Sequence, residues 1–344
     1  MRIRIFEGAF ARVRSSFKPL LATLAASASL AVSAGAAAQS CTQSAATGAS
    51  TYQAVFQPTC HNCYEIGVAK AMGANTFKQV LDQVLNVEID IWDTRDAVTG
   101  GVPREWYVRH NPGTLFQSGN DNNCTGNGKG TNDLGACLDD IRTWSDAHPG
   151  HYPITLFLDK KQAWSPASQG RRPADLDRLV ESSLGQKLYK PAEFKGAHAT
   201  LREAAKTGAW PSRDALKGRV LIALTGGQTG KHNQTQNEYV QDRRDNAALF
   251  MAVDTDETKD IEGTPQGFNA TTASYLVFYN IKAGGSRTSL GKKTRANNYV
   301  SRLWDGDNDN PCSILDACIN DNALKKWNKG ACNGLSTGVL TPKP

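Results

Sequence analysis

Carboxylate and amide side chains recur at the ends of apolar, strand-like segments of this chain. Glu88 and Asp90 lie two residues apart in one such segment, so both side chains point to the same face of a strand. Two carboxylates buried on that face repel each other and lose their hydration unless a cation compensates them. Asn62 and Asp159 end two other segments and add oxygen ligands. Such an all-oxygen set suits a hard divalent cation, calcium or magnesium. Glu-x-Asp alone is also typical of a solvated strand end.

Two histidines accompany these oxygen-bearing residues along the chain. His61 directly precedes Asn62, and His110 ends the strand-like segment that follows Asp90. An imidazole gains or loses its proton near neutral pH, so it can act as a general acid or base. Two imidazoles on opposite sides of a phosphate can deprotonate an attacking hydroxyl and protonate the leaving oxygen, while a metal ion offsets the developing charge. The pattern therefore predicts acid–base chemistry on a phosphate ester, with His61 and His110 as the pair.

Two basic residues are candidates for binding a phosphate oxygen. Lys161 lies two residues after Asp159 and would share the inward face of that strand, although a solvated lysine beside Lys160 is the alternative. Arg295 lies just before the last strand-like segment and is the second candidate.

The segments that carry these residues belong to a regular pattern of short β-branched and apolar runs separated by helical or loop segments. Strand and helix alternating eight times is typical of a parallel barrel. We therefore predict an α/β protein with a TIM-type (β/α)8 barrel, in which the reactive groups collect at the C-terminal ends of the strands. The eight predicted strands are 52–56 leading to Cys60, 87–92, 106–110, 154–159, 219–225, 249–253, 275–281 and 299–304.

Residues 1–38 have the three parts of a secretory signal peptide. A basic start precedes an apolar run at 20–32, and Ala36-Ala37-Ala38 forms a small-residue cleavage pattern. The run is shorter than the roughly 20 residues that span a bilayer, which argues against a membrane anchor. We therefore expect cleavage near Ala38 and export to the periplasm or the extracellular medium.

The charge of the remaining chain argues against nucleic acid as a partner. The predicted signal peptide carries five basic residues and one acidic residue, so its removal lowers the formal net charge from +6 to +2. Nucleic-acid-binding proteins usually have a strong surplus of basic residues. We predict one catalytic barrel domain at 39–304, and a cysteine-containing extension at 305–344 that packs on the barrel.

All eight cysteines follow the predicted signal peptide, and an even number of cysteines in an exported chain predicts disulfide bonds. Cys124 and Cys137 flank a Gly/Asn-rich loop, and we predict a disulfide between them, whereas the other pairings stay open. Zinc is the alternative at Cys60-x-x-Cys63, but no second pair at suitable spacing completes a zinc site. The eight cysteines are Cys41, Cys60, Cys63, Cys124, Cys137, Cys312, Cys318 and Cys332.

The order of these motifs resembles that of a known enzyme family. His-Asn at 61–62, Val-Glu-Ile-Asp-Ile-Trp at 87–92, His110 and then Asp159 follow one another as in the calcium-dependent phosphoinositide-specific phospholipases C, in their bacterial single-domain branch. The segments at 200–205, 208–212 and 216–221 resemble the part of that branch that leads into the fifth strand. The resemblance extends from 61 to 225, with a weaker similarity at 293–297.

The resemblance implies a function and a role for each matching residue. It implies that the inositol 2-hydroxyl attacks the phosphate, giving a cyclic inositol phosphate and diacylglycerol. His110 would protonate the departing glycerol oxygen, and His61 would stabilise the transition state or act as the base. The implied partner is a phosphoinositide lipid, bound transiently at a membrane surface by a monomeric enzyme. The implied Ca²⁺ ligands are Asn62, Glu88, Asp90 and Asp159.

Three features depart from the family pattern. Asp159 stands where the family commonly has the longer Glu, and the interval from Asp90 to His110 is longer than expected. The loop that carries Cys124 and Cys137 is an insertion beside the predicted site, so it bears on which substrate fits.

Two other functions remain as alternatives. A glycerophosphodiester phosphodiesterase or a sphingomyelinase-D-like enzyme would use a similar barrel and a similar set of histidines and carboxylates. However, Ala74 stands where the former has a metal-binding carboxylate, and Asn62-Cys63 stands where it has Arg-Gly. The second alternative is a non-catalytic protein that binds lipid head groups.

Overall fold

The structure is a computed structural model that describes residues 48–55, 57–71, 73–93, 106–111, 122–125, 134–166, 170–226, 233–282, 288–304 and 319–320. The predicted signal peptide and nearly all of the predicted C-terminal extension lie outside these residues, as do Cys41, Cys312, Cys318 and Cys332.

Eight parallel strands form a closed barrel. Neighbours pair in the order β1-β9-β8-β7-β6-β5-β4-β2, and β1 also pairs with β2, which closes the ring. The predicted TIM-type (β/α)8 barrel of the α/β class is therefore confirmed. The strands of the described ranges are β1 (Gln57–Cys60), β2 (Asn86–Trp92), β3 (Tyr107–Val108), β4 (Ile154–Lys160), β5 (Val220–Gly226), β6 (Phe250–Asp254), β7 (Leu276–Lys282), β8 (Val300–Trp304) and β9 (Ile319–Asn320).

Two of the eight predicted strands need correction. The segment 106–110 contributes only β3, which pairs antiparallel with the end of β2 and is not part of the barrel wall. The first strand begins later than expected, because Tyr52–Ala54 forms a turn of 3₁₀ helix before β1. The place in the ring between β8 and β1 belongs to β9, which comes from the segment assigned to the C-terminal extension. Two residues of strand give no recognisable pattern in the sequence.

The helices lie between the barrel strands along the chain. Two of them, α2 and α6, begin after a threonine whose hydroxyl accepts a hydrogen bond from a backbone N–H of the first turn. Among the described residues, none of the helices combines the length and apolar character needed to cross a membrane. The α-helices described are α1 (Ile66–Ala71), α2 (Phe77–Leu81), α3 (Leu134–Ala147), α4 (Pro173–Leu184), α5 (Pro191–Lys195), α6 (Leu201–Lys206), α7 (Gln234–Arg243), α8 (Thr258–Glu262), α9 (Ala270–Ala273) and α10 (Thr288–Ala296).

Aromatic side chains fill the barrel at the end where the strands begin. Trp210 stacks on Phe194 at 4.0 Å between ring centroids and lies 5.8 Å from Phe278. Tyr52 packs on the same cluster, and its hydroxyl lies 2.7 Å from that of Thr155, near the start of β4. The charged side chains described below lie at the opposite end, where the strands finish.

Candidate active site

Three carboxylates meet at the C-terminal ends of β2 and β4. Glu88 and Asp90 point inward from β2, and the strand register places Asp90 directly beside Asp159 of β4. One oxygen of each of the three residues lies within 4.8 Å of the others. Glu88 and Asp90 are wholly buried. The alternation of a strand and the pairing of its neighbour thus produce the arrangement that the spacing predicted.

The donor set fits a hard cation. Buried oxygens of Glu88, Asp159 and the Asn62 side-chain amide have no hydrogen bond in the structure, and Oδ1 of Asp90 is balanced by an ion pair with Lys161 at 3.0 Å. Buried acceptors without partners are rare and costly, and three of them beside the Asp90 carboxylate form a set of oxygen ligands of the kind that Ca²⁺ takes. Asn62, Glu88, Asp90 and Asp159 could therefore hold the ion together. Their role as ligands remains a prediction.

Gly226, the last residue of β5, makes room for one of these carboxylates. A β-carbon at position 226 would overlap Oδ1 of Asp159, and the residue has a φ of +82°, which side chains disfavour. The sequence reasoning missed this residue. The signal was a glycine ending a strand, which often marks a close approach of another group to the backbone.

His61 and Asn62 form a tight loop after β1. Asn62 adopts left-handed backbone angles with a φ of 58°, which asparagine tolerates better than most residues. Its backbone N–H donates a hydrogen bond to Glu88 Oε2 at 3.0 Å, and His61 Nε2 lies 3.8 Å from the same oxygen. A disulfide joins Cys60 and Cys63 on either side of the pair, which excludes the zinc alternative at these two cysteines. The predicted disulfide between Cys124 and Cys137 is confirmed.

His110 reaches the cluster although it does not end a barrel strand. It follows β3, and the backbone N–H of Arg109 donates to the carbonyl of Asp90, which holds this segment against β2. The Nδ1 atom lies 3.0 Å from Asp90 Oδ2 and 3.7 Å from Glu65 Oε1. The hydrogen bond with Asp90 outweighs partial burial and raises the pKa of His110. Glu65 was not predicted, and its position three residues after Asn62 was the only sequence signal.

Burial changes the acidity of Glu88. Loss of solvent, followed by the charge of Asp90, raises the pKa of Glu88 to about 8. The phenol of Tyr64 is buried beside the same cluster, and burial raises its pKa well above the usual value, with the charges of Asp90 and Glu88 adding to the effect. Tyr64 therefore stays neutral below the site.

Lys161 points into the carboxylate cluster. Its Nζ lies 2.6 Å from Asp159 Oδ2 and 3.0 Å from Asp90 Oδ1. Burial opposes its charge, but the neighbouring carboxylates prevail and raise the pKa of Lys161. The predicted inward direction of this side chain is what the structure has, and its contacts are with carboxylates.

A buried ion pair joins the outer faces of the same two strands. Lys160 Nζ contacts Asp93 Oδ1, and both side chains are almost fully buried. Asp93 Oδ2 accepts hydrogen bonds from the N–H and the hydroxyl of Ser165, and Arg171 donates to the Asp93 carbonyl. Lys160 also packs over the ring of Trp164 at 4.8 Å. This network ties the end of β2 to the loop after β4, and therefore supports the strand ends that carry Asp90 and Asp159.

A second row of polar side chains lies on β6, β7 and β8 and was missed from the sequence. The register aligns Asp254, Asn280 and Arg302. Asn280 donates to Asp254 Oδ1 at 2.6 Å, and Arg302 donates to Asn280 Oδ1 at 3.2 Å. The Arg302 guanidinium lies 4.7 Å from the ring of Phe157 on β4, across the barrel, so it occupies the interior. The sequence feature that could have revealed this row is a polar residue near the end of each of three successive strands.

Arg295 is not brought to this end of the barrel. It lies in the last turn of α10, which leads into the start of β8. Three residues later, the carbonyl of Asn298 accepts a hydrogen bond from Trp210, which belongs to the aromatic cluster at the opposite end. Because the helix runs back along the barrel before β8, the structure separates Arg295 from the carboxylates. The structure therefore does not bring Arg295 together with the other predicted site residues.

Comparison with known proteins identifies similar enzymes. A family model described as phosphoinositide phospholipase C, Ca²⁺-dependent, matches residues 128–265. No curated protein sequence matches the chain.

Several solved structures are similar over most of the chain. One is a calcium-dependent phosphoinositol-specific phospholipase C from a Gram-negative Pseudomonas species, with 40% identity over 80% of this chain and 91% of that chain and a TM-score of 0.71. A myoinositol complex of the Pseudomonas enzyme has 41% identity over 77% and 88% of the two chains and a TM-score of 0.69. A Ca²⁺-dependent phosphatidylinositol-specific phospholipase C from Streptomyces antibioticus has 25% identity over 83% and 98%, with a TM-score of 0.62.

Proposed function

The chain belongs to the family of Ca²⁺-dependent phosphoinositide phospholipases C, and from this premise we propose that it cleaves a phosphoinositide lipid by internal attack of the inositol 2-hydroxyl. The products are a cyclic inositol phosphate and diacylglycerol. The resemblance inferred from the sequence is thereby confirmed at the level of the family, and the chain is a phosphodiesterase-type enzyme. The observation that carries the proposal is the cluster of Glu88, Asp90 and Asp159, with the His61 imidazole near Glu88 and the His110 imidazole beside Asp90.

His110 is the proposed general acid. The hydrogen bond with Asp90 raises the pKa of His110, which favours the protonated form with Nδ1 held by the carboxylate. The other ring nitrogen can then donate its proton to the glycerol oxygen as the bond between phosphorus and that oxygen breaks. Asp90 and Glu65 fix the ring orientation, as carboxylate partners of catalytic histidines commonly do.

His61, near Glu88, is the proposed base. It accepts the proton of the inositol 2-hydroxyl as the bond between that oxygen and phosphorus forms. The tight loop between Cys60 and Cys63, together with the hydrogen bond from Asn62 to Glu88, holds His61 at the rim of the cluster. The proton taken up by His61 equals the proton given by His110, so the cleavage step is balanced.

Asn62, Glu88, Asp90 and Asp159 are the proposed ligands of the ion. The family is calcium-dependent, which selects calcium from the two ions that an all-oxygen set allows, and nothing supports magnesium. When bound there, Ca²⁺ offsets the negative charge that develops on the phosphate oxygens and favours ionisation of the attacking hydroxyl.

We propose that the polar row of Asp254, Asn280 and Arg302 binds the polyol head group of the lipid. It supplies donors and acceptors on the side of the barrel opposite the carboxylates, within the same ring of strands.

The enzyme encounters its lipid at a membrane surface, is exported by its N-terminal segment and acts as a monomer. Export rests on the sequence of 1–38, and the monomeric state on the sequence-based expectation.

The alternatives separate by product. A glycerophosphodiester phosphodiesterase or sphingomyelinase-D-like activity would release glycerol phosphate or a choline-derived product. A non-catalytic head-group-binding protein is contradicted by the family, whose members are enzymes.

The decisive experiment is incubation with phosphatidylinositol vesicles, with and without a calcium chelator, followed by phosphorus NMR of the water-soluble fraction. We expect the resonance of a five-membered cyclic phosphodiester, formed only when calcium is present. An open-chain phosphate as the first product, or turnover that survives chelation, would contradict the proposal.

A further inference from the structure

The Lys161 ammonium is a cation built into the carboxylate cluster. It lies 2.6 Å from Asp159 Oδ2 and 3.0 Å from Asp90 Oδ1, so it bridges the two strands that contribute these acids. Asp90 is fully buried, whereas the Lys161 side chain is 23% exposed. The lysine therefore reaches down into the site from its open side. Its positive charge offsets part of the mutual repulsion of the carboxylates.

One of these oxygens, Asp90 Oδ1, belongs to the set proposed to hold the ion, and the other is the second oxygen of the Asp159 carboxylate. Calcium coordinates carboxylate oxygens at about 2.3–2.6 Å, and an ammonium in contact with those acids would lie within a few ångströms of the ion. Two positive charges this close repel each other strongly where protein excludes water. Both cannot occupy the cluster favourably at once, and the lysine has an exposed direction in which to leave.

We propose that Lys161 is an internal counter-ion of the metal site, which neutralises Asp90 and Asp159 in the metal-free enzyme and is displaced when Ca²⁺ binds. The inference rests on the proposed assignment of Asp90 and Asp159 as ligands. Binding of the ion frees the ammonium at the open side of the cluster, where it can bind an anionic oxygen of the substrate. Calcium binding and phosphate binding are thereby coupled through one side chain.

Removal of this ammonium has effects of opposite sign on two measurements. Lys161→Met removes the competitor, so calcium binds more tightly. It also removes a phosphate contact, so kcat/KM falls even when calcium is saturating. A lysine with a merely structural role would not strengthen metal binding when it is deleted.

The test is calorimetric titration of the chelator-treated full-length enzyme with calcium chloride. Wild type is compared with Lys161→Met and with Lys195→Met, which removes an equal charge from an ion pair with Asp245 outside the barrel strands. We expect the dissociation constant of Lys161→Met to be lower by about tenfold or more, and that of Lys195→Met to match wild type. Equal or weaker binding by a folded Lys161→Met enzyme would overturn the inference, while calcium binding to wild type keeps the ligand assignment intact. Absence of binding to wild type would overturn both.

A second measurement remains informative if Lys161→Met does not fold without metal. In wild type labelled with ¹⁵N-lysine, we expect the two carboxylate contacts to slow exchange of the Lys161 ammonium, and the spectrum of Lys161→Gln with calcium present identifies its signal. We expect this signal to broaden or shift with the same midpoint as calcium binding. A signal that is unchanged at calcium saturation would overturn the inference.

Discussion

Gly226 lies against the carboxylate of Asp159, so that any β-carbon at position 226 would occupy the place of Asp159 Oδ1. The two residues are on neighbouring strands, with Asp159 paired to Thr225 and Lys160 paired to Gly226. A glycine therefore determines where a proposed calcium ligand can point. The contact between Gly226 and Asp159 thus constrains the geometry of the site as directly as a contact between two of the proposed ligands.

Gly226→Ala should weaken calcium binding by roughly 10- to 100-fold, as loss of a group that orients a metal ligand commonly does. The added methyl group pushes Asp159 out of the cluster. Because the substitution also strains a residue with positive φ, Gly208→Ala is the matched control: its φ is +79°, and nothing lies within 4 Å of its added β-carbon. Calorimetry and thermal unfolding of both variants separate strain from displacement of the ligand. Equal loss of calcium affinity in both would contradict the role of Gly226.

Calcium affinity should rise with pH because of Glu88. Its pKa is raised to about 8 in the metal-free protein, so below that pH the ion must displace a proton from it. We expect up to about a tenfold gain in affinity per pH unit between pH 6 and 8, with one proton released to the buffer. Titrations at pH 6.5 in two buffers of different ionisation enthalpy measure this proton. In Glu88→Gln, the proton release that comes from Glu88 should disappear. A calcium-binding enthalpy of the wild type that does not depend on the buffer would contradict the prediction.

The same shift determines how stability depends on pH without metal. Because the folded protein holds the Glu88 proton up to about pH 8 while the unfolded chain releases it near 4.5, folding binds a proton in this window. The Glu88 contribution to the free energy of unfolding should therefore fall as the pH rises from about 4.5 to 8, on the order of 1 kcal/mol per unit. Denaturation of the chelated protein at several pH values, compared with Glu88→Gln, isolates this contribution. A wild-type profile parallel to that of the variant would rule it out.

The sequence predicted the parts of the site that depend on local spacing. Alternation along β2 places Glu88 and Asp90 on one face, and the barrel pattern brings Asp159 to the same end. It did not predict how far β3 contributes to the barrel, because a two-residue antiparallel strand and a barrel strand carry the same apolar pattern.

Features that depend on which strands lie side by side could not be predicted from the sequence. Gly226 matters only because β5 lies beside β4, and Arg302 only because its guanidinium reaches Phe157 across the interior. Arg295 was an attractive candidate because it precedes the last predicted strand, but residues before a strand and residues after it lie at opposite ends of a barrel.

We expect Lys160 and Asp93 to contribute to the free energy of unfolding only when both are present. Lys160→Met leaves Asp93 buried without its charge partner, which should lower the free energy of unfolding by about 3–5 kcal/mol. Replacement of both by neutral residues, in Lys160→Met with Asp93→Asn, should recover much of that loss, because no charge stays buried without a partner and the amide oxygen can still accept the Ser165 hydrogen bonds. Urea denaturation of the wild type, the two single variants and the double variant measures the coupling energy between the two residues. Additive losses would show that the two residues act independently.

The two histidines should differ in their response to the leaving group. His61→Ala and His110→Ala should each lower kcat by roughly 100- to 10,000-fold, the usual contribution of a general acid or base. If His110 protonates the glycerol oxygen, an inositol phosphate ester of p-nitrophenol, whose leaving group departs without a proton, should restore much of the activity of His110→Ala and little of that of His61→Ala. His198→Ala, a histidine in the segment between α5 and α6, is the matched control and should retain wild-type turnover on both substrates. Rescue of His61→Ala in place of His110→Ala would exchange the two roles, and equal rescue of both would leave neither as the acid.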